Sequence, residues 1–366
     1  MISDKPIIPI NPKTACQNKW AWSSIYLNTG TSASCHRCKH YEFDVDTVMD
    51  FHNLPGKQED RQKMLEGEWP GNGCEYCRDV EAVGGYSDRM PFVNKSDFFV
   101  PEELKINPTA TAVTPTILEV YFSNLCNQSC VYCRPKFSSQ IQRENERFGP
   151  SKYLPVWESE NPINSSQYLT YRKKFFEWMT LHGHKLKQLK ILGGEPLYQD
   201  EFEMLLDFFE KNPCPELQWE IFTNLNHDTE KLKLKIQKIS SLIENKKIKS
   251  MLFTCSIDSW GPDLEYIRYG LDLDNAEQNI NTILDTPNIE ISIHATMTAL
   301  SLPSMHLLAD KVNEWSKKKP MMFHWNTVTG PSCFDVYVFG DTLLEYVNTF
   351  IATLEKNGLE TFQNTI

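Results

Sequence analysis

Three cysteines within eight residues, Cys126-Asn-Gln-Ser-Cys130-Val-Tyr-Cys133, carry the most specific chemistry in the sequence. They follow directly on an apolar, β-branched run, Ile117-Leu-Glu-Val-Tyr-Phe-Ser, which places them in one loop at the end of a predicted strand. Such a loop can wrap one corner of an iron-sulfur cubane, because each iron takes one thiolate and three close cysteines serve three irons. The fourth iron then has no protein ligand, and an open metal position is where a reactant binds. A zinc site completed by a distant ligand is the alternative that the spacing alone allows.

Further candidates lie at the ends of later apolar runs. Gly193-Gly194-Glu195-Pro196 follows the run Gln188 to Leu192. Glycines at a strand end let a ligand approach the backbone, and Glu195 can accept bonds from an ammonium group; taken alone, the tetrapeptide also reads as a plain turn. In Ser256-Ile-Asp258 alternation turns Ser256 and Asp258 to one face, with helix capping as the other reading. Thr223-Asn224 lines the same rim, and Cys255 alternates away toward the core. Arg268, in Tyr-Ile-Arg-Tyr, offers a planar fork suited to a carboxylate or else lies on a solvated helix face. Near the N-terminus stand Cys16 and the pairs Cys35-His-Arg-Cys38 and Cys74-Glu-Tyr-Cys77. A structural zinc ribbon from Cys35, Cys38, Cys74 and Cys77 fits their spacing. His182, His184, His294, His324, Cys214 and Cys333 read as surface, rim or core residues, and the lysines of 231 to 249 as a solvated helix face.

The elements that must position these groups are regular after residue 117. Strand-length apolar runs occur at 117 to 123, 188 to 193, 218 to 224, 250 to 257, 289 to 297 and 321 to 328, with helical periodicity between them, as in Tyr168 to Leu181 and Leu232 to Ile243. Six strand-then-helix units imply a parallel sheet covered by helices, with functional loops at the C-terminal strand ends. A polar insertion at about 135 to 165 could serve as a lid. Residues 12 to 95 are irregular and read as a small domain without a conventional core, which a metal or cluster would staple. Residues 96 to 116, with Pro101, Pro108 and Pro115, read as a linker, and 117 to 357 as the strand-helix domain.

Composition bounds the reading. With 366 residues, 40% hydrophobic and 23% charged, the chain is ordinary for a globular protein. A net charge of -11 argues against nucleic-acid or membrane-surface binding. No apolar run approaches the roughly 18 residues of a membrane span, and Met1-Ile-Ser-Asp-Lys-Pro lacks a signal-peptide pattern, so a cytoplasmic location is expected. Eleven cysteines, clustered and odd in number, then read as metal ligands rather than disulfides.

The triplet, the strand before it and the six units after it resemble the radical S-adenosylmethionine (SAM) superfamily, whose CxxxCxxC signature follows the first strand of a partial (βα)6 barrel. The resemblance covers roughly residues 12 to 330. It implies that Cys126, Cys130 and Cys133 hold a 4Fe-4S cluster, that SAM chelates the open iron, and that one electron cleaves SAM to a 5'-deoxyadenosyl radical. It further assigns Tyr132 to the neighbourhood of adenine, Gly193, Gly194, Glu195 and Pro196 to the SAM amino group, Ser256 and Asp258 to the ribose and methionyl portion, and Arg268 to the SAM carboxylate, with Asn224 on the same rim. Cys16, thirteen residues, Gly30, four residues and Cys35, followed by Cys74 and Cys77, resemble the cluster-binding element of SPASM and twitch domains. This implies a second, auxiliary 4Fe-4S cluster on Cys16, Cys35, Cys74 and Cys77, with Cys38 as the competing ligand. Here the element precedes the barrel, and the remaining SPASM cysteines are absent. The segment Glu81-Ala-Val-Gly84-Gly85-Tyr-Ser87-Asp-Arg89 resembles the one that follows the last cysteine pair in N-terminal twitch-bearing members. The partners implied are a peptide or small-molecule substrate and an electron donor such as flavodoxin or ferredoxin.

Overall fold

The computed structural model describes residues 13–90, 99–149, 164–328 and 330–359. Among them the strands in chain order are β1 (Trp22–Tyr26), β2 (Thr31–Ala33), β3 (Tyr41–Glu42), β4 (Ile117–Tyr121), β5 (Ser129–Cys130), β6 (Gln188–Leu192), β7 (Cys214–Thr223), β8 (Ile248–Ser256), β9 (Arg268–Tyr269), β10 (Glu290–Met297) and β11 (Met322–Thr327). The helices are α1 (Asn18–Ala21), α2 (Pro55–Leu65), α3 (Glu75–Ala82), α4 (Glu102–Ile106), α5 (Ser139–Phe148), α6 (Ser165–His182), α7 (Asp200–Lys211), α8 (Thr229–Glu244), α9 (Pro262–Ile267), α10 (Leu273–Leu284), α11 (Met305–Ser316) and α12 (Leu344–Lys356). Each of the six apolar runs is a strand (β4, β6, β7, β8, β10, β11) and each is followed by at least one helix, a mixed α/β architecture of the TIM-like kind. Asn164, Asp228 and Asp272 cap α6, α8 and α10 by accepting a bond from a first-turn backbone N–H.

Two compact units divide the chain. The first takes Met1–Phe122, Pro162–Ile191 and Asn212–Gln218. Its strands run in the order β6-β4-β1-β2-β3, with β1 parallel to β4 from Trp22↔Ile117 to Tyr26↔Tyr121 and antiparallel to β2. The expectation that residues 12 to 95 lack a core does not hold. Trp20, Ile25, Leu27, Phe51 and Met64 are buried. Val100, Leu104 and Val113, from the stretch read as a linker, pack with Trp20, Met64, Cys16, Cys38 and Cys74 in one cluster. The polar stretch that obscured this becomes α2, which buries Lys57, Asp60, Arg61 and Met64.

The second unit takes Ser123–Asn161, Leu192–Lys211 and Trp219–Ile366. Its strands run β11-β10-β8-β7, with β10 parallel to both β8 and β11. Alternation sorts their two faces. Trp219, Ile221, Phe253, Cys255, Ile291, Ile293, Phe323 and Trp325 are buried apolar residues on one face, so Cys255 is a core thiol as its position in the sequence implies. Glu220, Thr254, Ser256, Ser292, His294 and His324 occupy the other. A two-residue ribbon, β5 with β9, pairs Cys130 with Arg268 and Ser129 with Tyr269. The insertion expected to act as a lid, at about 135 to 165, contains α5, and its residues 150–163 lie outside the described residues.

Candidate functional site

All the residues that sequence reasoning assigned to the cysteine triplet and its cofactor lie in the second unit. The loop after β4 is held from several sides. Cys126 N–H donates to Ser139 Oγ at 3.2 Å, Ser138 Oγ donates to Gln128 O at 2.9 Å, and Val131 N–H donates to Ile267 O at 2.9 Å. The Gly-Gly-Glu-Pro segment is its seat. Gly194 N–H donates to Phe137 O at 3.1 Å and Glu195 N–H to Leu125 O at 2.8 Å. Gly194 has φ +59°, and a Cβ there would collide with the Leu125 carbonyl oxygen, so only glycine lets the cysteine loop come this close.

Glu195 is fully buried and its carboxylate accepts three bonds: from Thr223 Oγ1 at 2.7 Å, from Asn224 N–H at 2.7 Å and from Leu197 N–H at 3.1 Å. Burial pushes its pKa up to about 7, with these donors pulling the other way. The segment beyond β7 turns sharply, with buried Leu225 at φ +56°, a conformation that costs a branched L-residue roughly 1–2 kcal/mol. With that turn in place, Asn224 Nδ2 lies 2.9 Å from Asn127 Oδ1 and 3.9 Å from Cys126 Sγ. Asn127 Nδ2 in turn donates to Asn226 O at 2.7 Å. Nothing in the composition of Thr-Asn-Leu-Asn announces a left-handed leucine, and Asn127 was not singled out from sequence.

Asp258 is the second organising carboxylate. It is fully buried and receives Arg268 in a two-pronged pair, Nε to Oδ2 and Nη2 to Oδ1, both at 2.9 Å. Tyr132 Oη donates to Oδ2 at 2.6 Å and Thr296 N–H to Oδ1 at 2.8 Å. The Asp258 charge holds the Arg268 pKa high against desolvation, while burial raises that of the Tyr132 phenol. Arg268 therefore pairs with a residue of its own chain, and its remaining Nη1 points at Cys130 Sγ, 3.9 Å away. Helix capping by Ser256 or Asp258 is not what the structure contains: α9 begins at Pro262 behind Gly261. Ser256, half-buried, stands in register with His294 on β10, which in turn faces His324 on β11. Glu220, Thr254 and Ser292 form a hydrogen-bonded row across the same face.

The donor set around the three thiols fits a cluster. Cys126, Cys130 and Cys133 are free, and burial raises all three pKa values, that of Cys126 to about 12. Thiols so placed ionise when a metal supplies positive charge, and binding then releases their protons. Asn224 and Arg268 each direct an N–H at one of the sulfurs, the kind of outer contact that tunes a bound cluster.

In the first unit Cys16, Cys35, Cys38, Cys74 and Cys77 line one cavity, so both candidate ligand sets are present there. Cys35 Sγ and Cys38 Sγ are 3.4 Å apart. The Cys38 pKa is lowered by hydrogen bonds from Cys35 and Cys74 and by the Lys19 ammonium, and burial pushes Cys16 up to about 11. Lys19 is buried against Asp60 at 2.6 Å. Lys57 and Arg61 are also fully buried, with Lys57 Nζ bonded to Ser23 Oγ, Ser32 Oγ and Ala33 O. Burial pushes the Lys57 pKa well below the ordinary lysine value, whereas the charges of Cys38, Cys74 and Asp60 outweigh desolvation and hold the Lys19 ammonium charged. Arg89 clamps Glu81 through Nε at 2.7 Å and donates from Nη1 to Ala15 O, which ties the Glu81–Arg89 segment to the chain beside Cys16. Among the described residues, no three His, Cys, Asp or Glu side chains converge as ligands of one metal ion would. A cubane distributes its thiolates over separate irons.

No protein-family model matches the chain. A radical SAM cyclopropyl synthase, TigE, of Paramaledivibacter caminithermalis is 28% identical over 126 residues, 34% of this chain and 25% of that protein. The chain thus matches about a quarter of the length of this curated relative. The likeness is to a radical SAM protein, over about a third of this chain. Two solved structures, a psychrophilic glycoside hydrolase family 10 endo-β-1,4-xylanase and a thermostable mutant of a xylanase (Xyn10A) from Cellvibrio japonicus, are 13% and 10% identical with TM-scores of 0.24 and 0.26. They cover 57% and 75% of this chain and 66% and 81% of their own, and overlap this low carries no functional argument. No helix among the described residues is long and apolar enough to cross a membrane.

Proposed function

We propose that the chain is a radical SAM enzyme that holds a 4Fe-4S cluster on Cys126, Cys130 and Cys133 and abstracts hydrogen from a substrate. The observation that carries this reading is the seating of three free thiols on the Gly-Gly-Glu-Pro turn, with Asn224 and Arg268 each offering an N–H to one sulfur. When bound, the cluster supplies the electron that cleaves SAM to a 5'-deoxyadenosyl radical. The chain's own residues position and insulate. Asp258 fixes Tyr132 and Arg268 beside the thiols, and Glu195 fixes the Asn224 turn. Ser256 and the half-buried His294 line the strand-end face on which a substrate would lie.

A peptide or protein is the substrate favoured, with a sugar or nucleoside as the small-molecule alternative and flavodoxin or ferredoxin as electron donor. Cys16, Cys35, Cys74 and Cys77, with Cys38 competing, are assigned to an auxiliary 4Fe-4S cluster, or to structural zinc. Anaerobic reconstitution with iron, sulfide, a reductant and SAM should yield 5'-deoxyadenosine, and alanine at Cys126, Cys130 or Cys133 should abolish it. Iron without any SAM cleavage, or zinc alone, would leave a metal-stapled binding protein instead. Deuterium transfer from labelled candidate pools into 5'-deoxyadenosine identifies the substrate.

A further inference from the structure

The cavity that holds Cys16, Cys35, Cys38, Cys74 and Cys77 is also lined by three cations, Lys19, Arg37 and Arg89. Arg37 and Arg89 are engaged by Asp88 and Glu81, carboxylates whose side chains are 35% and 21% exposed, where solvent screens charge. Lys19 differs. Its side chain is 2% exposed and that of its partner Asp60 3%, so the field of this pair acts through protein rather than water. The Lys19 ammonium lies close enough to Cys38 and Cys74 for their charge to weigh on it as well as that of Asp60.

The chain around the sulfurs holds this pair in place. Asp60 also accepts from Tyr41 Oη at 3.0 Å and from Asn72 Nδ2 at 3.5 Å. Lys39 N–H donates to Asn72 O at 3.0 Å, so the Asp60 network joins the residue after Cys38 to the turn before Cys74. At Gly73, with φ +95°, an added Cβ would collide with the Arg37 carbonyl oxygen, and the two cysteine loops therefore meet backbone to backbone. Reducing a cubane by one electron adds one negative charge, and cluster potentials follow net charge and hydrogen bonding at the sulfurs. A buried ammonium beside the ligands favours the reduced state, and a buried carboxylate behind it opposes that bias.

We propose that Lys19 and Asp60 set the reduction potential of the cluster in the first unit, Lys19 raising it and Asp60 holding it down. The proposal rests on the assignment of a 4Fe-4S cluster to these cysteines. The 366-residue chain carrying Cys126→Ala, Cys130→Ala and Cys133→Ala, reconstituted anaerobically, isolates that cluster. Iron is counted first, and a redox titration followed by electron paramagnetic resonance then reads the midpoint. Lys19→Met should lower it by about 59 mV or more, a tenfold change in the one-electron equilibrium. Asp60→Asn should raise it by a similar amount, and Lys19→Arg should stay close to the parent. Opposite shifts separate an effect of charge from a structural role, which would move both variants the same way. An unchanged midpoint in Lys19→Met, or shifts of one sign in Lys19→Met and Asp60→Asn, would overturn the proposal and leave the cluster standing. Where Lys19→Met loses its iron, Asp60→Asn decides, and a midpoint that does not rise overturns the proposal. Zinc, or no iron, in the parent overturns the cluster assignment and the proposal with it, and the metal count tells this outcome from the others.

Discussion

A buried carboxylate must be answered by donors, and Asp258 is answered by four: two from Arg268, one from Tyr132 and one from Thr296. Removing one partner leaves the other charge stranded, so Arg268→Met should cost about 3–5 kcal/mol in chemical denaturation of the metal-free chain. A cost under about 1 kcal/mol would mean that the pair is solvated. Glu195 gives a pH signature. Its folded pKa of about 7 lies above the ordinary 4.5, so between those values the fold keeps a proton that the unfolded chain has released. Stability should therefore fall as pH rises through that window and level off above it, by on the order of 3 kcal/mol, and Glu195→Gln should erase the slope. Alternation placed Ser256 and Asp258 on one face from sequence alone. The Asp258–Arg268 partnership was hidden because it depends on the β5–β9 ribbon, whose strands of two residues each are too short to have a periodicity.

At the scale of elements, the strands were legible wherever apolar residues recurred over a strand's length, in β7, β8, β10 and β11 alternating with the polar residues of the opposite face. β4, β6, β7, β8, β10 and β11 all fall within a few residues of the runs that announce them. α2 lies in the stretch that read as irregular, and its burial was not legible. The enclosure of Lys57, Asp60 and Arg61 depends on partners far away in sequence, Ser23, Lys19 and Thr111 among them. The Gly-Gly-Glu-Pro turn was visible as a motif, while the need for Gly194 is a matter of tertiary approach. Gly194→Ala must strain the backbone at φ +59° and displace the Leu125 carbonyl, at a combined cost of about 2–4 kcal/mol. Thermal unfolding checks the cost. Iron retained at the Cys126 loop should drop with it, and unchanged retention would show that the loop tolerates the shift.

For the whole molecule, two cysteine groups in two compact units predict separable metal stoichiometries. With a cubane at each, the reconstituted chain should carry about eight irons, and the combined Cys126→Ala, Cys130→Ala and Cys133→Ala chain about four. About four irons with one zinc in the wild type would assign the ribbon alternative to the first unit, and loss of all iron from the triple variant would exclude a second cluster. The N-terminal cysteines were legible as one group, and their side chains line one cavity. The core around them was not, because Trp20, Met64 and Val113 are widely spaced in sequence and meet only on folding. The glycine seat beneath the Cys126 loop has a further consequence for the life of the protein. Backbone bonds from Gly194 and Glu195 tie the chain on either side of the three cysteines, at Phe137 and Leu125, to a turn made much later in the sequence, so the thiols come together only as the second unit folds and not while the chain is still short of that turn.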